Sequence, residues 1–142
     1  MPLIKCSQKD KTLEEFYKEV SIEEPSHHIG ESMLTLIGLI NKTFVETKIY
    51  GSTSLRNLKL HADQNCDSAS YVSIISGGPK DNFIEYAIPE NKQPWPDTVV
   101  RGEADSYEKA IKYLIIAMKE SDGWKNSEEL KRLYSEITSQ EK

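Results

Sequence analysis

The chain has 142 residues, of which 37% are hydrophobic and 29% charged, and it carries a formal net charge of −5. That size supports one domain, residues 1–142, whose core needs no disulfide or metal to hold it together, and the spread of aromatic residues along it excludes disorder throughout. The acidic excess argues against a general nucleic-acid binder, which needs clustered Lys and Arg to neutralise phosphate.

No apolar run approaches the roughly 20 residues that span a bilayer, and the first residues lack the apolar core of a signal peptide. The expected compartment is therefore the cytoplasm. Cys6 and Cys66, the 2 cysteines, form neither a close pair nor a framework and are expected to stay reduced there.

In chain order, Leu13, Phe16, Tyr17 and Val20 repeat at helical spacing behind Thr12, whose hydroxyl and the Glu15 side chain can form a capping box. Pro25 interrupts this pattern. Ile29, Met33, Leu34, Ile37 and Ile40 then make a second apolar stripe, weakened by Gly30 and Gly38. Residues 44–50 and 55–62 are β-favouring runs separated by Gly51 and Ser52, and Leu58, Leu60 and Ala62 alternate with Lys59 and His61 as in a sheet with one buried face. A polar loop follows. Residues 71–76 and 83–88 form the clearest sheet signal, a hairpin joined through Gly77, Gly78, Pro79 and Lys80. Pro89, Pro94 and Pro96 stop regular pairing before a short edge strand at 98–100.

Residues 105–121 carry the strongest helical signal. Tyr107, Ala110, Ile111, Leu114, Ile115 and Met118 fall on one face, and Tyr113, Ile116 and Ala117 widen that face to suit a helix lying across a sheet. Asp105 and Glu108 can cap its start, Gly123 can end it, and Trp124 can fold back on its last turn. Ser127 can cap a final helix bearing Leu130, Leu133, Tyr134 and Ile137 on one side. Helices, a run of strands, then helices again predict an α+β fold: an antiparallel sheet of about four strands with helices from both chain ends packed on one face.

Four stretches hold side chains capable of chemistry. His61, Asp63, Cys66 and Asp67 are of the types used by a metal site or a Cys nucleophile, but their spacing matches no ligand signature, and a solvated loop of side-chain-to-backbone turns explains them as well. Adjacent His27 and His28 would point about 100° apart on a helix, so they are expected to mark its polar start. Gly77 to Lys80 lacks the spacing and the following helix of a phosphate-binding loop, and reads as a hairpin turn. Trp95 sits between Pro94 and Pro96, either as an interaction anchor on a restrained backbone or as a lid that plugs the core. Asp81, Glu85, Glu90 and Asp97 flank the hairpin and the Trp95 loop. With Trp95 they would form one acidic, aromatic-bearing partner surface if the fold gathers them.

The small, acidic α+β chain, with Ile115-Ile116-Ala117-Met118 ending its core helix and Ser121-Asp122-Gly123-Trp124 after it, resembles immunity proteins of bacterial toxin systems, including contact-dependent growth inhibition. The resemblance implies a non-catalytic inhibitor that binds a cognate toxin, often a basic nuclease, without cofactor, metal, direct nucleic-acid contact or membrane. Carboxylates on a nuclease's phosphate-binding surface would speed encounter and obstruct substrate. Three other classes compete with it. A small enzyme would use the loop of His61, Asp63, Cys66 and Asp67. An adaptor would dock a partner through Trp95 or the terminal helix, with no toxin involved. A double-stranded-RNA module would share the helix–strands–helix order but lacks the basic stripe.

Overall fold

A computed structural model describes residues 3–5, 12–22, 27–54, 57–63 and 70–140. Within them lie strand β1 (Leu3–Lys5), helices α1 (Leu13–Ser21) and α2 (His27–Thr43), strands β2 (Ile49–Ser54), β3 (Asn57–His61), β4 (Tyr71–Gly78), β5 (Asp81–Ala87) and β6 (Val99–Ala104), and helices α3 (Tyr107–Glu120) and α4 (Glu128–Gln140). The strands form one six-stranded sheet in chain order, β1 to β6. β2 to β6 make an antiparallel meander, and β1 adds to β2 in parallel. The fold is α+β, as expected, with a wider sheet than expected.

One face of the sheet is the core face. Leu58, Leu60, Val72, Ile74 and Ile84 point into it and are buried, with Met33, Leu36, Ile37 and Ile40 of α2 and Ala110, Leu114, Ala117 and Met118 of α3 packed in the same cluster. α2 lies over β4, while α3 crosses β4, β5 and β6 and carries α4 on its far side. The stripe centred on Leu114 is thus the inner surface of a helix laid across a sheet. Buried Ser76 and Asn82 add a polar contact beneath α2: the Ser76 hydroxyl hydrogen-bonds Asn82 Oδ1 at 2.6 Å and Ser32 Oγ at 2.7 Å.

The Thr12 capping box forms, with Glu15 N–H donating to Thr12 Oγ1 at 3.0 Å. Ser127 caps α4 through the Leu130 N–H at 3.1 Å. The cap of α3 is not Asp105 but Ser106, whose hydroxyl accepts the Lys109 N–H at 3.1 Å. Its far end is set by Asp122 rather than Gly123, because Asp122 takes the left-handed turn (φ 64°), which a short polar side chain tolerates. Trp124 is buried as expected, and its indole N–H donates to the Lys48 carbonyl at 3.1 Å.

The expected strand at 44–50 is a correction. α2 continues to Thr43, Phe44 is buried, and β2 begins only at Ile49. Between them the chain bends around the carboxylate of Glu129, which accepts the N–H groups of Val45 (2.9 Å), Glu46 (3.1 Å) and Thr47 (2.9 Å) and the Thr47 hydroxyl (2.7 Å). Backbone donors that a strand would spend on a ladder go to a buried anion instead. Gly51, expected to separate two strands, lies inside β2 opposite Leu60, where a Cβ would come within 2.9 Å of Leu13 Cδ1.

Candidate protein-binding surface

Sheet alternation sorts the outer face from the core face. Opposite pairs Ser52–Lys59, Lys59–Ser73, Ser73–Glu85 and Glu85–Arg101 place these side chains in one row across β2 to β6. Beside that row, Lys59 Nζ lies 4.0 Å from the Tyr71 ring centroid, and the Arg101 guanidinium carbon 5.7 Å from that of Phe83. Among the described residues no helix packs on this face.

The loop from β5 to β6 stands at one end of it. Its base is closed by the Ile88 N–H donating to the Thr98 carbonyl at 3.1 Å, and a short 3-10 turn, Glu90–Lys92, follows Pro89. Gln93 Nε2 ties back to the Ile88 carbonyl at 2.7 Å, and the Thr98 hydroxyl bonds the Trp95 carbonyl at 3.2 Å. Asp97, with φ 64°, supplies the left-handed residue that turns the chain back into β6. Pinned in this way, Trp95 is nevertheless 68% exposed, so the core-lid alternative fails. Val99, 43% exposed, continues the apolar surface into β6 on the outer face, while Val100, 41% exposed, points to the α3 side.

The predicted partner residues separate into two groups. Glu90, Trp95 and Asp97 share the loop and are exposed. Glu85 lies close by: it and Asp97 both act on Tyr71, whose phenol is pushed up first by burial and then by these two carboxylates. Glu85 is not a free acid, however, because Arg101 pairs with it at 3.0 Å. Asp81 starts β5 at the hairpin, about 20 Å along the strand from the loop. The five residues therefore do not make one acidic face. The structure gathers Glu90, Trp95 and Asp97 at one corner, sets Glu85 beside them in an ion pair, and leaves Asp81 at the opposite end. Tyr71, Phe83 and Arg101 escaped the sequence reading as members of this surface, although the odd-numbered alternation of β4 to β6 was the signal that puts them on one face with Lys59.

The remaining candidates sit elsewhere. His61 corrects the expected alternation: it ends β3 directly opposite Tyr71, on the same face as Lys59, yet it is only 2% exposed, so the end of that face is covered rather than solvated. Asp63 is half-buried, and Cys66 and Asp67 lie outside the described residues. No group of 3 or more His, Cys, Asp or Glu that could hold a metal occurs among the described residues. His28 is exposed at the start of α2. Pro79 and Lys80 turn the β4–β5 hairpin, while Gly77 and Gly78 end β4, where a register shift between Ser76 and Gly78 and φ 146° at Gly78 mark a bulge next to the turn. No helix among the described residues is long and apolar enough to cross a membrane.

Glu129 is a buried carboxylate that gathers several donors at once. Burial pushes its carboxyl up, but the Thr47 hydroxyl and the N–H groups of Val45, Glu46 and Thr47 outweigh that and hold it below the ordinary glutamate range. All its neighbours are structural, and it acts as a latch between the 45–47 bend and α4. Compared with protein-family models, curated proteins and solved structures, the chain matches none of them.

Proposed function

We propose that this chain is a cytoplasmic, non-catalytic inhibitor of a basic protein, an immunity protein that neutralises a bacterial nuclease toxin through the corner formed by Glu90, Trp95 and Asp97. One observation carries the reading: a tryptophan 68% exposed on a loop whose backbone is pinned on both sides. A large ring held outward by a restrained backbone loses little conformational freedom on binding, and aromatic anchors of this type dominate interface energetics. The carboxylates beside it and the net charge of −5 suit a cationic partner, chiefly through faster encounter.

Charge and anchor have separable signatures. Glu90→Gln combined with Asp97→Asn should slow association and flatten its salt dependence. Trp95→Ala should mainly speed dissociation, costing at least about 2 kcal/mol, roughly thirtyfold in affinity, while the free protein keeps its stability because the ring is exposed. The deciding experiment co-expresses the protein with a nuclease toxin encoded beside it and measures survival and complex formation. Absence of both rescue and binding would refute the immunity reading and leave the adaptor reading in its place.

A further inference from the structure

β6 is the last strand of the sheet, and no described strand pairs with its outer side. Its backbone is nonetheless ready to pair. Thr98 accepts the Ile88 N–H at 3.1 Å and so faces β5. By the alternation of an antiparallel ladder, Val100, Gly102 and Ala104 also face β5, while Val99, Arg101 and Glu103 turn their N–H and C=O groups to the open edge. Such an edge is usually guarded by charge, and guarding works when the charges repel whatever approaches. Here the guard is Arg101 and Glu103, two residues apart on the outer face and opposite in sign, so it does not repel its own kind.

We infer that β6 is a self-association edge, joining antiparallel to β6 of a second copy with Gly102 at the two-fold axis. The register follows from the chemistry. A two-fold axis perpendicular to the sheet keeps outer faces continuous, so the join must be centred on a residue. Centring on Arg101 sets that cation against itself, and centring on Glu103 sets carboxylate against carboxylate. Centring on Gly102 places Arg101 opposite Glu103 of the second copy, and by symmetry Glu103 opposite Arg101 of the second copy. Each of these pairs exchanges both backbone hydrogen bonds, because all four residues face the edge.

The surroundings agree with this register. Across β3, β4 and β5 the outer row reads Lys59, Ser73, Glu85 and then Arg101, and Glu103 of the second copy continues the alternation of sign beyond Arg101. On the inner side Val100 is 41% exposed, whereas Ala104 is fully covered by its own chain, so the open stretch of the edge is centred on residues 101–103. The apolar groove of about 230 Å³ between β6 and α3, lined by Val100, Gly102, Tyr113 and Ile116, borders the join. At the axis itself Gly102 has no side chain, so the Tyr113 ring sits over its backbone, where a Cβ would lie 3.0 Å from ring atoms.

Sedimentation velocity from micromolar to millimolar concentration is the test, and a reversible dimer is expected. E103R leaves the Glu85–Arg101 pair intact and sets like charges against each other twice, so it should weaken self-association on the order of thirtyfold. R101E should do the same while also facing Glu85 with a second carboxylate, so the rescue reverses the whole row: R101E combined with E103R and E85R keeps every opposite pair unlike in sign and should restore the wild-type constant. Glu103→Pro removes an N–H that faces the edge, which edge strands tolerate, and should leave a folded monomer. Residue-resolved hydrogen exchange adds a second reading: the Arg101 and Glu103 amides should gain protection with concentration, while those of Val100 and Gly102 are protected throughout. A monomer at every concentration, a combined variant as weak as either single one, or a dimer in which the Arg101 and Glu103 amides exchange freely would each overturn the proposal.

Discussion

Glutamine in place of Glu129 would keep the side chain's size and remove its charge. In the wild type one carboxylate, 3% exposed, satisfies three consecutive backbone N–H groups and the Thr47 hydroxyl, across 82 to 84 residues of sequence. Hydrogen bonds to a charged acceptor contribute about 1.5–3 kcal/mol each. Glutamine keeps one acceptor oxygen but turns an amide N–H₂ toward donors. The bend can also open to water, so the full sum is not lost. Breaking a buried charged contact by removing one partner costs about 3–5 kcal/mol, and the retained oxygen places Glu129→Gln near the lower end, at about 3 kcal/mol. In a chain of this size that lowers Tm by about 10 °C.

The pH dependence has a definite sign. Because the folded-state pKa of Glu129 lies below its unfolded value, its stabilisation is complete above the unfolded glutamate pKa of about 4.3 and is lost as pH falls through the folded value. Urea titrations of both proteins from neutral pH down to about pH 3 should therefore show a gap that narrows only in the acid range. A gap under about 1 kcal/mol at neutral pH, or one unchanged across the range, would refute the latch.

Two further substitutions probe the packing. Leu114→Asp buries an unpaired carboxylate at a fully buried position under the sheet, and should cost about 4 kcal/mol or more, read as a collapsed urea midpoint. Gly30→Ala should destabilise by about 1–3 kcal/mol although alanine is the better helix former, because its Cβ would meet the Ser21 backbone nitrogen and lie 2.6 Å from the Tyr17 carbonyl oxygen; thermal melts showing a gain would mean that α1 does not cross α2 at that point.

Much of the architecture was legible because it is written in local spacing. The Leu114 stripe, the capping residues Thr12 and Ser127, and the β4–β5 hairpin each depend on residues a few positions apart. Tertiary partners erased the rest. Phe44 to Lys48 has the composition of a strand, and nothing local announces that Glu129 claims its donors. Gly30 reads as a weak point in a helix until α1 crosses it. β1 is three residues long, too short for alternation to show. β6 contains Arg101, Gly102 and Glu103, whose β-propensity is low, and the paired length came from β5 beside it. For the candidate surface, the Trp95 loop was visible from its prolines, but its exposure was not. The ion pair that neutralises Glu85 needed a strand partner 16 residues away.

The order of the strands bears on how the chain is made. Each strand from β2 onward lies next to its successor, so a chain leaving the ribosome can add one hairpin arm at a time to the edge just completed. Only β1 must wait, held until Ile49–Ser54 emerges to receive it. The core face is dressed in a different order. α2 precedes the strands it covers, whereas α3 follows all of them, so during synthesis Val72 and Ile74 of β4 can lie under α2 at once, while Ile84 of β5 has to wait for α3. Until the Leu114 stripe arrives, the nascent chain is at its most vulnerable to aggregation, and that interval is set by the time needed to translate the Trp95 loop, β6 and α3.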